Sequence, residues 1–198
     1  MTIKNFDTRK LVLLAILTAI VIALQILAIV TRLFLPMFSL TLVLVPIVMG
    51  AALIGIYAGA WLGLVFGIAV LISGDANIFM GINLPGTVIV VLLKGLLAGL
   101  AAGVVYKLID KYNKTIAVFA AAIVCPLVNT GIFIVGCYIF FLPELTHEAM
   151  LAGAASVTAF IFLIMAGINF LIEFGVNIVL SPTIVRLIQY RSEVKNNS

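Results

Sequence analysis

Long, nearly uninterrupted apolar runs constrain this chain more than any other feature. Leu11 to Val30 is typical, with Thr18 and Gln25 as its only polar side chains. A run of about 20 such residues, rising ~1.5 Å each, crosses a hydrocarbon layer ~30 Å thick as a helix. Further runs cover Leu40 to Ile56, Ala58 to Ile72, Pro85 to Tyr106, Thr115 to Phe141 and Ala155 to Ile188. They are continuous and rich in Leu, Ala, Gly and Ile, without the two-residue alternation of a transmembrane β-barrel. Composition agrees: 65% of residues are hydrophobic, 9% are charged and the mean hydropathy is +1.39, where a soluble domain carries about 25% charged residues. The expected fold is all-α, a polytopic membrane protein with six transmembrane helices. The second and third runs are short and separated only by Gly55-Ile56-Tyr57. They also read as one broken or re-entrant pair, which is tolerated only when buried in protein.

Charge orients the chain. Lys4, Arg9 and Lys10, then Lys107, Lys111 and Lys114, then Arg186, Arg191 and Lys195 fall on one side of a six-span arrangement. The positive-inside rule makes that side the cytoplasm and places both termini there. Residues 1–198 read as a single transmembrane domain with short cytoplasmic tails at 1–10 and 189–198. The run after Lys10 is too long for a signal peptide and has no convincing cleavage site, so it reads as the first span. The net charge of +4 is spread over segment ends rather than gathered in a patch, which argues against a nucleic-acid partner. Tails this short hold no nucleotide-binding domain, and no G-x-x-x-x-G-K-[ST] loop is present. ATP-driven transport by such a chain requires a separate ATPase.

Polar residues inside the spans mark candidate sites. An ionisable group in a transmembrane helix costs at least ~2.5 kcal/mol and usually faces a cavity or a partner. Lys94 lies in the outer half of the fourth run and Glu173 in the sixth. Two readings of Lys94 stay open, a cation for an anionic substrate and an intramolecular pairing with Glu173 or a helix carbonyl. Asn169, Glu173, Asn177 and Ser181 stack at four-residue steps. The first two suit a substrate hydroxyl or amide, and the last two suit bonds to neighbouring helices. Pro126 frees a backbone carbonyl beside Asn129, which either lines a site or satisfies the broken ladder. Arg32, Asp75, Asn77, Asn83 and Thr87 fall in or near outer connections and read as lid residues or solvated connectors. Tyr138 sits near the outer end of the fifth run, and Trp61 nearer the cytoplasmic end of the third, where each suits an interfacial anchor.

Small residues recur every fourth position: Ala15, Ala19 and Ala23; Gly59, Gly63 and Gly67; Gly95, Gly99 and Gly103. In lipid they let backbones approach closely. The two glycine series are expected to pack within the chain. Cys125 and Cys137 have no metal-ligand spacing and read as small packing residues, so no metal site is expected. Enzymatic chemistry finds little support: there is no H-E-x-x-H or G-x-S-x-G, a single His147 in an outer loop, and no second intramembrane aspartate beside Asp75. A self-sufficient ion-coupled carrier or channel titrating at Glu173 is a further reading.

Six spans, the alanine series of the first helix, basic cytoplasmic ends and outward-biased polar groups together resemble the substrate-binding S components of energy-coupling factor (ECF) vitamin transporters. The runs PGTVIVVLLKGLLAG (Pro85 to Gly99) and CPLVNTGIFIVG (Cys125 to Gly136) are similar to the pantothenate-specific subgroup. The resemblance implies a high-affinity vitamin-binding subunit in a prokaryotic cytoplasmic membrane. Its partners would be an energy-coupling transmembrane subunit and two cytoplasmic ATPases that carry ATP and Mg, with no cofactor in this chain. It also implies that Ala15, Ala19 and Ala23 dock on the coupling subunit and that the chain topples to deliver its ligand. The ligand would sit near the outer face, among helices and loops that carry Lys94, Asn129, Asn169, Glu173, Arg32, Asn77, Asn83, Thr87 and Tyr138. Pantothenate, with a carboxylate, an amide and two hydroxyls, suits one cation and several amides. Folate and riboflavin are the alternatives, and a flat ring system calls for more stacking surface.

Overall fold

The computed structural model describes the backbone of residues 8–34 and 42–196, with side chains over 8–30, 42–163, 165–167 and 169–190. Among the described residues the chain is helical throughout, joined by short turns. The apolar runs become α1 (Thr8–Phe34), α2 (Leu44–Leu53), α3 (Ile56–Ile72), α5 (Leu84–Ile109), α6 (Lys114–Phe140) and a last helical rod that begins at Val157. That rod starts as a single turn, α8 (Val157–Ala159), continues as a π-helix over Phe160–Gly167 and ends as α9 (Ile168–Asn196). Two short helices are additional to the six runs, α4 (Asn77–Ile82) and α7 (Leu142–Leu151), both at the same end of the bundle.

Helix starts follow local chemistry. Asn83 caps α5, its Oδ1 accepting from Gly86 N at 2.9 Å, and Pro85 occupies the first turn, where a missing N–H costs nothing. Asn113 caps α6 through Ile116 N at 3.1 Å, and Ser156 caps α8 through Ala159 N at 3.1 Å. α9 continues helically to Asn196, over residues read from sequence as a tail.

Among the described residues, four helical stretches are long and apolar enough to cross a membrane: Thr8–Val30, Leu84–Ile109, Lys114–Phe140 and Val157–Tyr190. Exposed large apolar side chains such as Ile16, Ile20, Ile26, Leu93, Leu97, Val135 and Leu171 give these helices a surface matched to lipid. α2 and α3 are shorter, at 10 and 17 residues. α2 touches α1, α3, α5, α6 and α9, and its Leu44, Val45, Pro46, Ile47, Val48, Gly50 and Ala51 are all buried. It is a helix wrapped in protein. This is the setting that a short or broken span needs. The start of its apolar run at Leu40 lies outside the described residues.

The glycine series pack against each other within the chain, as expected. α3 and α5 run antiparallel with Gly59 against Gly99, Gly63 against Gly95 and Gly67 against Val91. A Cβ on Gly59 would stand 2.5 Å from the Gly99 carbonyl oxygen, and one on Gly67 would stand 2.9 Å from that of Val91. Only glycine permits this backbone-to-backbone contact, and in lipid such contact is what drives helix association. Ala15, Ala19 and Ala23 lie the other way: all three are exposed, while Leu17, Val21, Gln25 and Ala28 form the buried face of α1.

The bundle is filled at one end and hollow at the other. Near the Lys107–Lys114 connection, Ala98, Ala102, Tyr106, Ala117, Ala121, Ala122, Ile184 and Ile188 belong to one continuous core. Cys125 is buried in that core and Cys137 in a second cluster with Val90, Phe141, Leu145 and Ile161; both are free thiols. This second cluster seats α7 through Leu145 and α4 through Phe79, and between the two packed regions lies a cavity.

Candidate functional site

The cavity has a volume of about 440 Å³, within the ~300–1,000 Å³ range of small-molecule sites. Four helical segments supply its wall at helical spacing. α5 presents Thr87, Val90, Val91 and Lys94; α6 presents Asn129, Thr130 and Phe133; α3 presents Phe66 and Val70. The π-helix and the start of α9 add Met165, Ala166, Asn169, Phe170 and Glu173. The α3–α4 connection contributes Asp75 and Ala76, and α4 closes over with Ile78 and Phe79. A π-helix is uncommon and favours functional sites. Here it leads directly into the turn that carries Asn169 and Glu173.

Lys94 lies about 15 Å along α5 from Leu84 at ~1.5 Å per residue. Its Nζ stands 5.4 Å from the centre of the Phe133 ring and 5.9 Å from that of Phe66. A cation over two ring faces in a dry site gains about 2 kcal/mol from each good contact, part of what desolvation takes away. Among the described residues that line the cavity Lys94 is the only cation, and Asp75 and Glu173 are the carboxylates. Glu173, 7% exposed, is near enough to Lys94 for the two charges to interact.

The amides give the cavity its hydrogen-bonding character. Asn129 is 5% exposed, and its Oδ1 is buried with no hydrogen-bond partner among the described residues. Oδ1 of Asn169 is in the same condition. A buried acceptor left unsatisfied costs about 1–3 kcal/mol, so two of them on one cavity wall favour a guest that brings N–H or O–H donors. The Thr87 hydroxyl already donates to the Asn83 carbonyl oxygen at 2.8 Å, which leaves its oxygen free to accept.

Of the residues singled out from sequence, Lys94, Asn129, Asn169, Glu173, Thr87 and Asp75 meet at this cavity. Asn77 is exposed on α4, away from the lining, and Asn83 uses its side chain to cap α5. Tyr138 is outside the lining as well, its hydroxyl donating to Thr158 Oγ1 at 2.9 Å. The side chain of Arg32 lies outside the described residues. Asn177 and Ser181 are buried below Glu173, but they bond to their own helix rather than to neighbours. Asn177 Nδ2 donates to the Glu173 carbonyl at 2.8 Å, and Ser181 Oγ donates to that of Asn177 at 2.7 Å.

Sequence reasoning missed the aromatic wall. Phe66, Phe79, Phe133, Phe141 and Phe170 all line the cavity, and Phe79 packs edge-on against Phe133 and Phe141 at 5.5 and 5.0 Å between centroids. Phenylalanines within apolar runs look the same whether they face lipid or a site. The one available signal was spacing: Phe133 and Phe170 each lie four or fewer residues from a polar candidate on the same helix.

Comparison with known families gives one finding. The family described as ECF transporter, substrate-specific component, matches residues 9–185. No curated protein and no solved structure matches the chain.

Proposed function

The chain belongs to the substrate-specific component family of ECF transporters, and from that premise we propose that its cavity binds a small carboxylated vitamin, with pantothenate as the best fit. Membership makes it a multi-pass membrane subunit that binds substrate rather than an enzyme, and implies energy-coupling membrane and ATPase subunits as its partners. The observation that carries the reading of the ligand is the polar set of the cavity: among the described residues, a single lysine with two buried asparagine acceptors that lack partners. Lys94 would receive the carboxylate, and Asn129 and Asn169 would accept from amide N–H or hydroxyl groups. The apolar part of the ligand would rest on the phenylalanines.

Those phenylalanines also withdraw one argument against ring-bearing vitamins, because stacking surface is present after all. Isothermal titration of the purified protein with pantothenate, folate, riboflavin and thiamine in turn is therefore the test. Submicromolar affinity for pantothenate alone is the expected result. Tight binding of another member of the panel instead would overturn the choice of pantothenate, and binding of none would overturn the vitamin reading.

Docking is assigned to the exposed face of α1. Ala15, Ala19 and Ala23 form a shallow stripe that no other described part of the chain covers, flanked by exposed Ile16, Ile20 and Ile26. A stripe of this kind admits a partner helix at close range. Ala19→Trp is expected to leave vitamin affinity unchanged and to abolish co-purification with the coupling subunit. Retained assembly would remove the stripe from the interface.

A further inference from the structure

α1 contributes no described side chain to the cavity lining, yet it carries one buried polar residue whose bonds lead there. Gln25 is 1% exposed, in an otherwise apolar buried face. A buried amide requires partners, and Gln25 finds them about 50 residues away in sequence. Its Nε2 donates to Ser73 Oγ at 3.1 Å and to the Asp75 carboxylate, so both amide hydrogens are used. Ser73 Oγ passes the connection on, donating to the Val70 carbonyl at 3.0 Å. Val70 and Asp75 are both cavity residues.

The turn between them is held from two sides. Gly74 has φ +81°, a backbone conformation that side-chain-bearing residues rarely adopt, and this swings Asp75 back toward the bundle. The Gln25 amide then fixes both residues that flank the glycine.

We propose that Gln25 is a positioning residue for this site: it sets where the Asp75 carboxylate stands on the cavity wall, and through that bond ties α1 to the substrate without touching it. The proposal rests on the reading of the cavity as the substrate site. Methionine at position 25 has nearly the volume of glutamine but no donors, so it separates the hydrogen bonds from packing.

The test has two arms on the full-length chain. In the first, pantothenate is titrated into wild type, Gln25→Met, Asp75→Ala and the double variant. Each single change is expected to weaken binding about tenfold, and the double variant to be no weaker than either single one, because both remove the same link. In the second, a nitroxide is attached at Ile72→Cys, an exposed position directly before Ser73 and outside the cavity lining. Its spectrum is expected to show greater mobility in the Gln25→Met background, whichever ligand the protein takes. Unchanged affinity in Gln25→Met, or additive losses in the double variant, would overturn the proposal. Should wild type bind no pantothenate, the choice of pantothenate fails and the nitroxide alone decides, with unchanged mobility overturning the role of Gln25.

Discussion

Gly63→Leu is expected to prevent assembly of the bundle, giving loss of the monodisperse peak on size exclusion and, in any protein recovered, a destabilisation above about 3 kcal/mol. A Cβ at Gly63 runs into the carbonyl of Gly95, and a Cβ at Gly95 runs into that of Gly63. Overpacking against flexible side chains typically costs ~1–3 kcal/mol because those chains can move aside. Here the obstacle is backbone on both sides, so α3 and α5 must separate as whole helices. Separation would undo the Gly59–Gly99 contact one turn away as well. The bilayer offers no compensation, since lipid tails solvate an exposed leucine as well as a protein interior does. Gly131→Leu is the control, because nothing lies within 4 Å of a Cβ at that position. Equal melting temperatures for the Gly63 and Gly131 variants would show that the glycine seam is not what holds the two helices together.

Lys94→Met is expected to lower affinity for pantothenate by about 100-fold while leaving the protein folded. A hydrogen bond to a charged group contributes about 1.5–3 kcal/mol, which is ~10- to 150-fold in affinity. Paired measurement of affinity and thermal stability separates the two readings of Lys94 left open by the sequence. If its main role is to hold a ligand carboxylate, affinity falls and the melting temperature of the ligand-free protein holds. If its main role is to neutralise Glu173, breaking the buried pair costs ~3–5 kcal/mol of stability. Unchanged affinity would remove Lys94 from the site.

Much of the site was legible because the bilayer makes polar residues conspicuous. Lys94 and Glu173 stood out within apolar runs, and the structure brings them to one cavity. Asn129 and Asn169 were visible for the same reason. Residues at helix ends were less informative, since a polar side chain there serves equally as a cap, a connector or a ligand. Asn83 became a cap and Tyr138 a partner of Thr158. Trp61, read as an interfacial anchor, is half exposed on α3 and donates to Thr18 Oγ1 on α1 at 3.3 Å. Gln25 was passed over as an incidental polar residue in an apolar run, because its partners at Ser73 and Asp75 are distant in sequence.

What the sequence determined by itself was the helical class, the membrane environment, the approximate extent of each long helix and the identity of the candidate polar groups. These follow from a local rule: in hydrocarbon each segment must satisfy its own backbone and present apolar side chains over a fixed length. The tertiary structure alone decided that the alanine stripe of α1 faces outward while the glycines of α3 and α5 face each other. It alone decided which phenylalanines turn from lipid to line a cavity, and that α4 closes over its end. These depend on how each helix is rotated about its axis against its neighbours. Where apolar residues surround a helix on every side, hydrophobic periodicity no longer marks the inner face, and close packing between distant segments sets the rotation instead.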